Sequence, residues 1–81
     1  MRIKVTFYSY FKELAGTETV SFDCTESCLL GELVTQVHDR FPKLKSMDRS
    51  TLIAVGLEYQ DPSYCLKPGD EVSLFPPVQG G

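Results

Sequence analysis

The chain has 81 residues, 42% of them apolar and 23% charged, with a formal net charge of -3 from 8 basic and 11 acidic side chains. That length gives one domain, able to bury somewhat more than about 60% of its unfolded surface without staples, and the charge balance, with Lys and Arg spread along the sequence, argues against nucleic-acid binding. No apolar run approaches the roughly 18 residues of a membrane span and the N-terminus lacks the apolar core of a signal peptide, so no membrane association and a cytoplasmic location are expected.

Arg2-Ile3-Lys4-Val5-Thr6-Phe7-Tyr8 alternates, with Ile3, Val5 and Phe7 on one face and Lys4, Thr6 and Tyr8 on the other, which predicts a half-buried strand. Tyr10 to Ala15 is too short for an independent helix, but it ends at Gly16, the residue suited to a left-handed C-terminal cap; one helical turn is expected. Thr19-Val20-Ser21-Phe22 alternates again, so residues 2–22 read as two strands joined by a wide hairpin.

After Asp23 the period changes: Leu29, Leu30, Leu33, Val34, Val37 and Phe41 recur at helical spacing, with Glu32, Gln36, Asp39 and Arg40 largely opposite. Ser27 or Thr25 is the expected N-cap, and Pro42 ends the helix because it has no amide proton and biases Phe41 away from helical angles. Gly31 costs about 1 kcal/mol relative to Ala inside a helix, so either packing offsets that cost or another element approaches closely there. His38 reads as a partly exposed surface histidine. Cys24, Cys28 and Cys65 are an odd set that cannot pair completely; they suit a reducing compartment as structural thiols better than a zinc site lacking its third and fourth ligands.

Lys43 to Ser50 is polar and reads as a loop. Leu52-Ile53-Ala54-Val55 predicts a third strand turning at Gly56, and Glu58-Tyr59 a brief edge strand. Asp61-Pro62-Ser63 and Lys67-Pro68-Gly69-Asp70 are turn sequences flanking Leu66, which is expected in the core. Glu71-Val72-Ser73-Leu74-Phe75 alternates with Val72 and Leu74 inward, leaving Phe75 outside. The order predicts an α+β domain over residues 1–75, a mixed sheet of four to five strands covered on one face by one main helix. Thr6, Tyr8 and Phe75 belong to the open face if their strands are neighbours.

Residues 76–81, Pro76-Pro77-Val78-Gln79-Gly80-Gly81, read as an extended tail. Two terminal glycines leave the carboxylate of Gly81 unhindered, and Gly80 can thread a slot too narrow for a side chain. A small, frayed chain end would look similar. Six residues past Phe75 span at most about 20 Å, enough to enter a partner's pocket while the sheet stays outside.

Phe11-Lys12-Glu13-Leu14-Ala15-Gly16, Leu66-Lys67-Pro68-Gly69-Asp70-Glu71-Val72 and Phe75-Pro76-Pro77-Val78-Gln79-Gly80-Gly81 together resemble the small subunits of molybdopterin synthase, within the ubiquitin-like sulfur carriers. One departure is Gly56, where members often carry a polar residue, commonly Asn. The resemblance implies a β-grasp fold and a carrier chemistry. An E1-like adenylating enzyme, using ATP, activates the Gly81 carboxylate; sulfur from a persulfide relay displaces AMP and leaves a thiocarboxylate. The tail then enters the large subunit and donates sulfur to cyclic pyranopterin monophosphate, building the dithiolene of the molybdenum cofactor, in a heterotetrameric synthase. It further implies that the catalytic groups lie on the large subunit and that this chain binds no cofactor or metal. Phe75, Pro76, Pro77, Val78 and Gln79 are the expected partner-binding residues, with Pro76 and Pro77 keeping the tail root extended. The same features leave open a thiazole-pathway sulfur carrier, a protein modifier joined through Gly81 to lysines, and an interaction module using only its open face.

Overall fold

The computed structural model describes residues 1–77. Strand β1 (Arg2–Phe7), helix α1 (Phe11–Ala15), strand β2 (Thr19–Asp23), helix α2 (Leu30–Arg40), a 3-10 segment (Pro42–Ser50), and strands β3 (Leu52–Val55), β4 (Glu58–Tyr59) and β5 (Glu71–Phe75) follow in order. The sheet runs β2-β1-β5-β3-β4, with β1 and β5 parallel at its centre and the other pairs antiparallel. With α2 packed across one face, this is the β-grasp fold.

The alternation read from the sequence sets the two faces. Ile3, Val5 and Phe7 from β1 and Val72 and Leu74 from β5 are buried, and they meet Leu30, Leu33 and Val37 from α2 with Phe11 and Leu66. Each such side chain contributes about 1.5–3 kcal/mol on burial. Gly16 takes φ 76° and caps α1 through its amide to the Lys12 carbonyl. Gly56, at φ 61°, holds the turn between β3 and β4 in a region that Asn also enters, so the substitution at this position leaves the turn type available.

The start of α2 differs from expectation. Neither Thr25 nor Ser27 caps it: Leu29 is the N-cap, held extended by a bridge to Cys65, and its amide donates to the Glu32 carboxylate at 3.0 Å. The next two amides, of Leu30 and Gly31, donate to the carbonyls of Tyr64 and Pro62 at 2.8 and 3.0 Å. A loop more than thirty residues downstream thus satisfies the helix end. It also explains Gly31, because a Cβ there would sit 3.0 Å from the Cβ of Pro62. Cys24 and Cys28 precede the helix and share no helical face, yet both are buried.

Lys43 to Ser50 is not an open loop. It winds as 3-10 turns that bury Leu44 against the core, and the Thr51 hydroxyl closes its end on the Met47 carbonyl at 2.7 Å. His38, half-buried as a residue, has a side chain only 12% exposed, with Nε2 3.8 Å from Asp48 of this segment.

Candidate functional site

β5 delivers the tail root. Phe75 sits opposite Leu52 at the end of β3, and Pro76 and Pro77 follow it; all three are half-buried. The Tyr8 amide donates to the Leu74 carbonyl at 3.1 Å, carrying the β1–β5 pairing one residue past the strand, and the Tyr8 ring stacks on Phe75. Proline's missing amide proton and fixed φ prevent the ladder from continuing. The chain is thereby released from the sheet beside an aromatic pair.

Register places Lys4, Thr6, Glu71, Ser73, Phe75, Leu52, Ala54 and Tyr59 on the face away from α2. This face is polar toward β2 and apolar toward the tail root. Tyr8 and Tyr59 are exposed, and Leu57, at the tip of the β3–β4 turn, is fully exposed. Ala54, Gly56, Leu57, Tyr59 and Phe75 line a shallow hollow of about 260 Å³. Contiguous exposed apolar groups of this kind mark protein-binding surfaces.

The turn that feeds β5 is fixed by Asp70, whose carboxylate accepts from the Tyr64 hydroxyl at 3.0 Å and the Lys67 amide at 2.9 Å. Gly69, at φ 88°, makes the turn possible. The bond to Asp70 raises the Tyr64 phenol above its ordinary range, while bonds from the Ser63 hydroxyl and amide lower the Asp61 carboxyl. Burial, reinforced by a hydrogen bond to Cys28, pushes the Cys24 thiol up to about 11. A thiol so protected is a poor nucleophile and a poor metal ligand. Among the described residues no group of three or more His, Cys, Asp or Glu is placed to hold a metal ion.

Of the residues singled out from the sequence, Phe75, Pro76 and Pro77 come together with Tyr8 and Thr6 on one face. Val78, Gln79, Gly80 and Gly81 lie outside the described residues. Leu57 and Tyr59 are additions to the candidate surface. Leu57 carried one signal in the sequence, an apolar residue placed directly after a turn glycine.

The ThiS family profile matches residues 5–81. The chain belongs to the ThiS family. That match takes in the sheet from Val5 onward as well as Val78–Gly81, so ThiS family similarity extends through the tail. A Chlamydomonas reinhardtii protein named molybdopterin synthase sulfur carrier subunit is 32% identical over 83 positions, covering 100% of each chain. The protein of the same name from Escherichia coli (strain K12) is 36% identical over 81 positions, covering 98% of this chain and 99% of its own. In a solved complex of subunits 1 and 2 of molybdopterin-converting factor from Helicobacter pylori, one chain superposes with a TM-score of 0.76 at 29% identity, covering 100% of both.

Proposed function

We propose that this chain is the sulfur-carrying small subunit of a molybdopterin synthase. The observation that carries the reading is the tail root: Phe75-Pro76-Pro77 leaves the sheet beside an exposed apolar face, in a family whose match continues through Gly81. Full-length similarity to two proteins named molybdopterin synthase sulfur carrier subunit supports the same reading.

In this scheme the sheet docks and the tail reacts. A Gly81 carboxylate oxygen attacks the α-phosphorus of ATP held by an E1-like enzyme, and pyrophosphate leaves. A persulfide sulfur adds to the resulting acyl adenylate and AMP departs, leaving an acyl disulfide; a thiol of the sulfur donor's relay then attacks the donor-side sulfur, ending in a disulfide and releasing the C-terminal thiocarboxylate. Tyr8, Leu57, Tyr59 and Phe75 rest against the partner while the tail threads into its pocket, where the large subunit supplies the acid–base groups for transfer to cyclic pyranopterin monophosphate. The Helicobacter pylori complex of subunits 1 and 2 supports a second subunit as partner; we take that partner to be the large subunit and the assembly to be a heterotetramer. This chain binds no cofactor of its own; ATP belongs to the activating enzyme. Three free thiols suit a reducing cytoplasm.

Intact mass spectrometry after incubation with the host's E1-like enzyme, ATP and a sulfur donor tests the scheme. A gain of one sulfur for one oxygen, localised to Gly81, is expected. No gain, with the activating enzyme competent on another carrier, would overturn it, and isopeptide-linked products would indicate a protein modifier instead.

A further inference from the structure

The hollow at the tail root exists because two small residues stand among large ones. Leu57, Tyr59 and Phe75 surround Gly56 and Ala54, and Ala54, the most buried of the five at 8% exposed, forms the floor. Register shows what covers it. Ala54 pairs with Tyr59 of β4 and Ser73 of β5 on the face away from α2, and Leu52, two residues back, faces Phe75. Its methyl group is therefore shielded by neighbours on the open face, and it takes no part in the core cluster beneath α2.

None of the five lining residues is charged. Glu58 stands opposite Val55, a core residue, and so belongs to the α2 face. Glu71 and Lys4 are register partners on the open face, and neither lines the hollow. The polar side-chain atom among the five is the Tyr59 hydroxyl. A charged group seated here would give up water with little to replace it, whereas an apolar side chain would bury itself against Ala54, Leu57 and the two rings.

Phe75 ties the hollow to the tail, being both one of its walls and the last residue of β5 before Pro76. A protein that takes the tail from this root covers that wall. We propose that the hollow receives one apolar side chain, aliphatic or aromatic, of the protein that takes the tail, and that Ala54 sets the size of side chain it admits. This rests on the reading of the chain as a carrier that docks on a large subunit. A water-excluding socket for a single anchor is the arrangement that concentrates binding energy at an interface. An added peptide strand fits less well, because β4 offers an edge of two residues.

The chain has two alanines, Ala15 and Ala54, so labelling alanine methyl groups gives one probe in the hollow and one away from it. The test mixes the labelled full chain with unlabelled large subunit of the same source. Contacts from the Ala54 methyl to methyl or ring protons of the large subunit are expected in isotope-filtered spectra, and none from Ala15. Ala54→Leu should weaken binding about tenfold or more, while Ser21→Leu, on β2 at the opposite edge of the same face, should leave it unchanged. Cutting the contacted partner side chain to alanine should cost the wild type affinity and leave Ala54→Leu little affected.

The proposal fails if folded Ala54→Leu binds as tightly as wild type, or if in the complex the Ala54 methyl meets a charged group or water. It fails equally if that methyl already contacts Val78 or a second copy in the free chain. Should Ala54→Leu not fold, the wild-type methyl contacts decide alone. A wild-type chain without affinity for the large subunit would overturn the carrier reading and this proposal together, whereas every other failure leaves that reading standing.

Discussion

Tyr8 lies nearly parallel to Phe75, with ring centroids 4.6 Å apart and planes inclined by 15°, and the pair joins the end of β1 to the last residue of β5 before the prolines. The two residues are 67 positions apart in sequence and meet because β1 and β5 are parallel neighbours. An aromatic pair of this geometry adds about 0.5–1.5 kcal/mol beyond area burial. The stack also half-buries Phe75, which would otherwise stand free on the open face.

Phe75→Ala should therefore have two separable effects. Stability falls modestly, by about 1–2 kcal/mol, and a double-mutant cycle with Tyr8→Ala in urea denaturation returns a coupling of about 0.5–1.5 kcal/mol. Affinity for the synthase large subunit of the same source falls by more than that loss explains, since the folded variant still lacks the ring. Unchanged affinity in calorimetric titration would make Phe75 a structural residue only.

Leu57 gives the cleaner separation of binding from folding. It is fully exposed at the tip of the β3–β4 turn and takes no part in the core. Leu57→Asp should change stability by no more than about 0.5 kcal/mol, while weakening large-subunit binding about tenfold or more by placing a carboxylate in the apolar contact. Equal binding by wild type and variant would remove the turn from the docking surface.

Gly31→Ala inverts the usual helix rule. Alanine gains about 1 kcal/mol over glycine in a helix interior, and less at the second residue of α2, where Gly31 sits. Here the new methyl meets the Pro62 Cβ at 3.0 Å and the Pro62 carbonyl oxygen at 3.3 Å. That carbonyl accepts the Gly31 amide, so Pro62 cannot retreat without stretching the bond. We expect net destabilisation of about 1 kcal/mol in urea denaturation, with faster amide exchange at Leu30 and Gly31. A variant more stable than wild type would mean that the loop yields.

Local patterning made much of this legible in advance. Alternation assigned Ile3, Val5, Phe7, Val72 and Leu74 to the core, and Gly16 and Gly69 announced their positive φ turns. Gly31 left open whether packing offset its cost or another element approached, and the structure shows the second, with Pro62 as that element. The Leu29 cap was hidden because it depends on Cys65, Tyr64 and Pro62, contacts that exist only once the chain has folded back. The 3-10 segment was hidden because Leu44 is its one fully buried apolar side chain, too little for a period to show. At the candidate site the Pro-Pro root was plain as a motif, with Gly80 and Gly81 outside the described residues, whereas the hollow lined by Ala54, Leu57, Tyr59 and Phe75 joins strands whose proximity no local pattern encodes.

Cys24 offers a pH test of the buried thiol pair. Burial and its bond to Cys28 raise it from an ordinary value of 9.0 to about 11. Between those values the unfolded chain has released the Cys24 proton while the folded chain retains it, so stability declines as pH rises through that window and is fully present below 9. The two-unit displacement corresponds to roughly 2–3 kcal/mol. Other groups titrate in the same range, so the readout is the difference between wild type and Cys24→Ala in urea denaturation at each pH. Near pH 8 the variant should be the less stable because it leaves a cavity beside Cys28. That difference should shrink by about 2 kcal/mol on approaching pH 11. Iodoacetamide should label the exposed Cys65 quickly at pH 8 and the buried Cys24 only on unfolding. A difference independent of pH, or rapid labelling of Cys24 in the folded chain, would show that its thiol is not held in the neutral form.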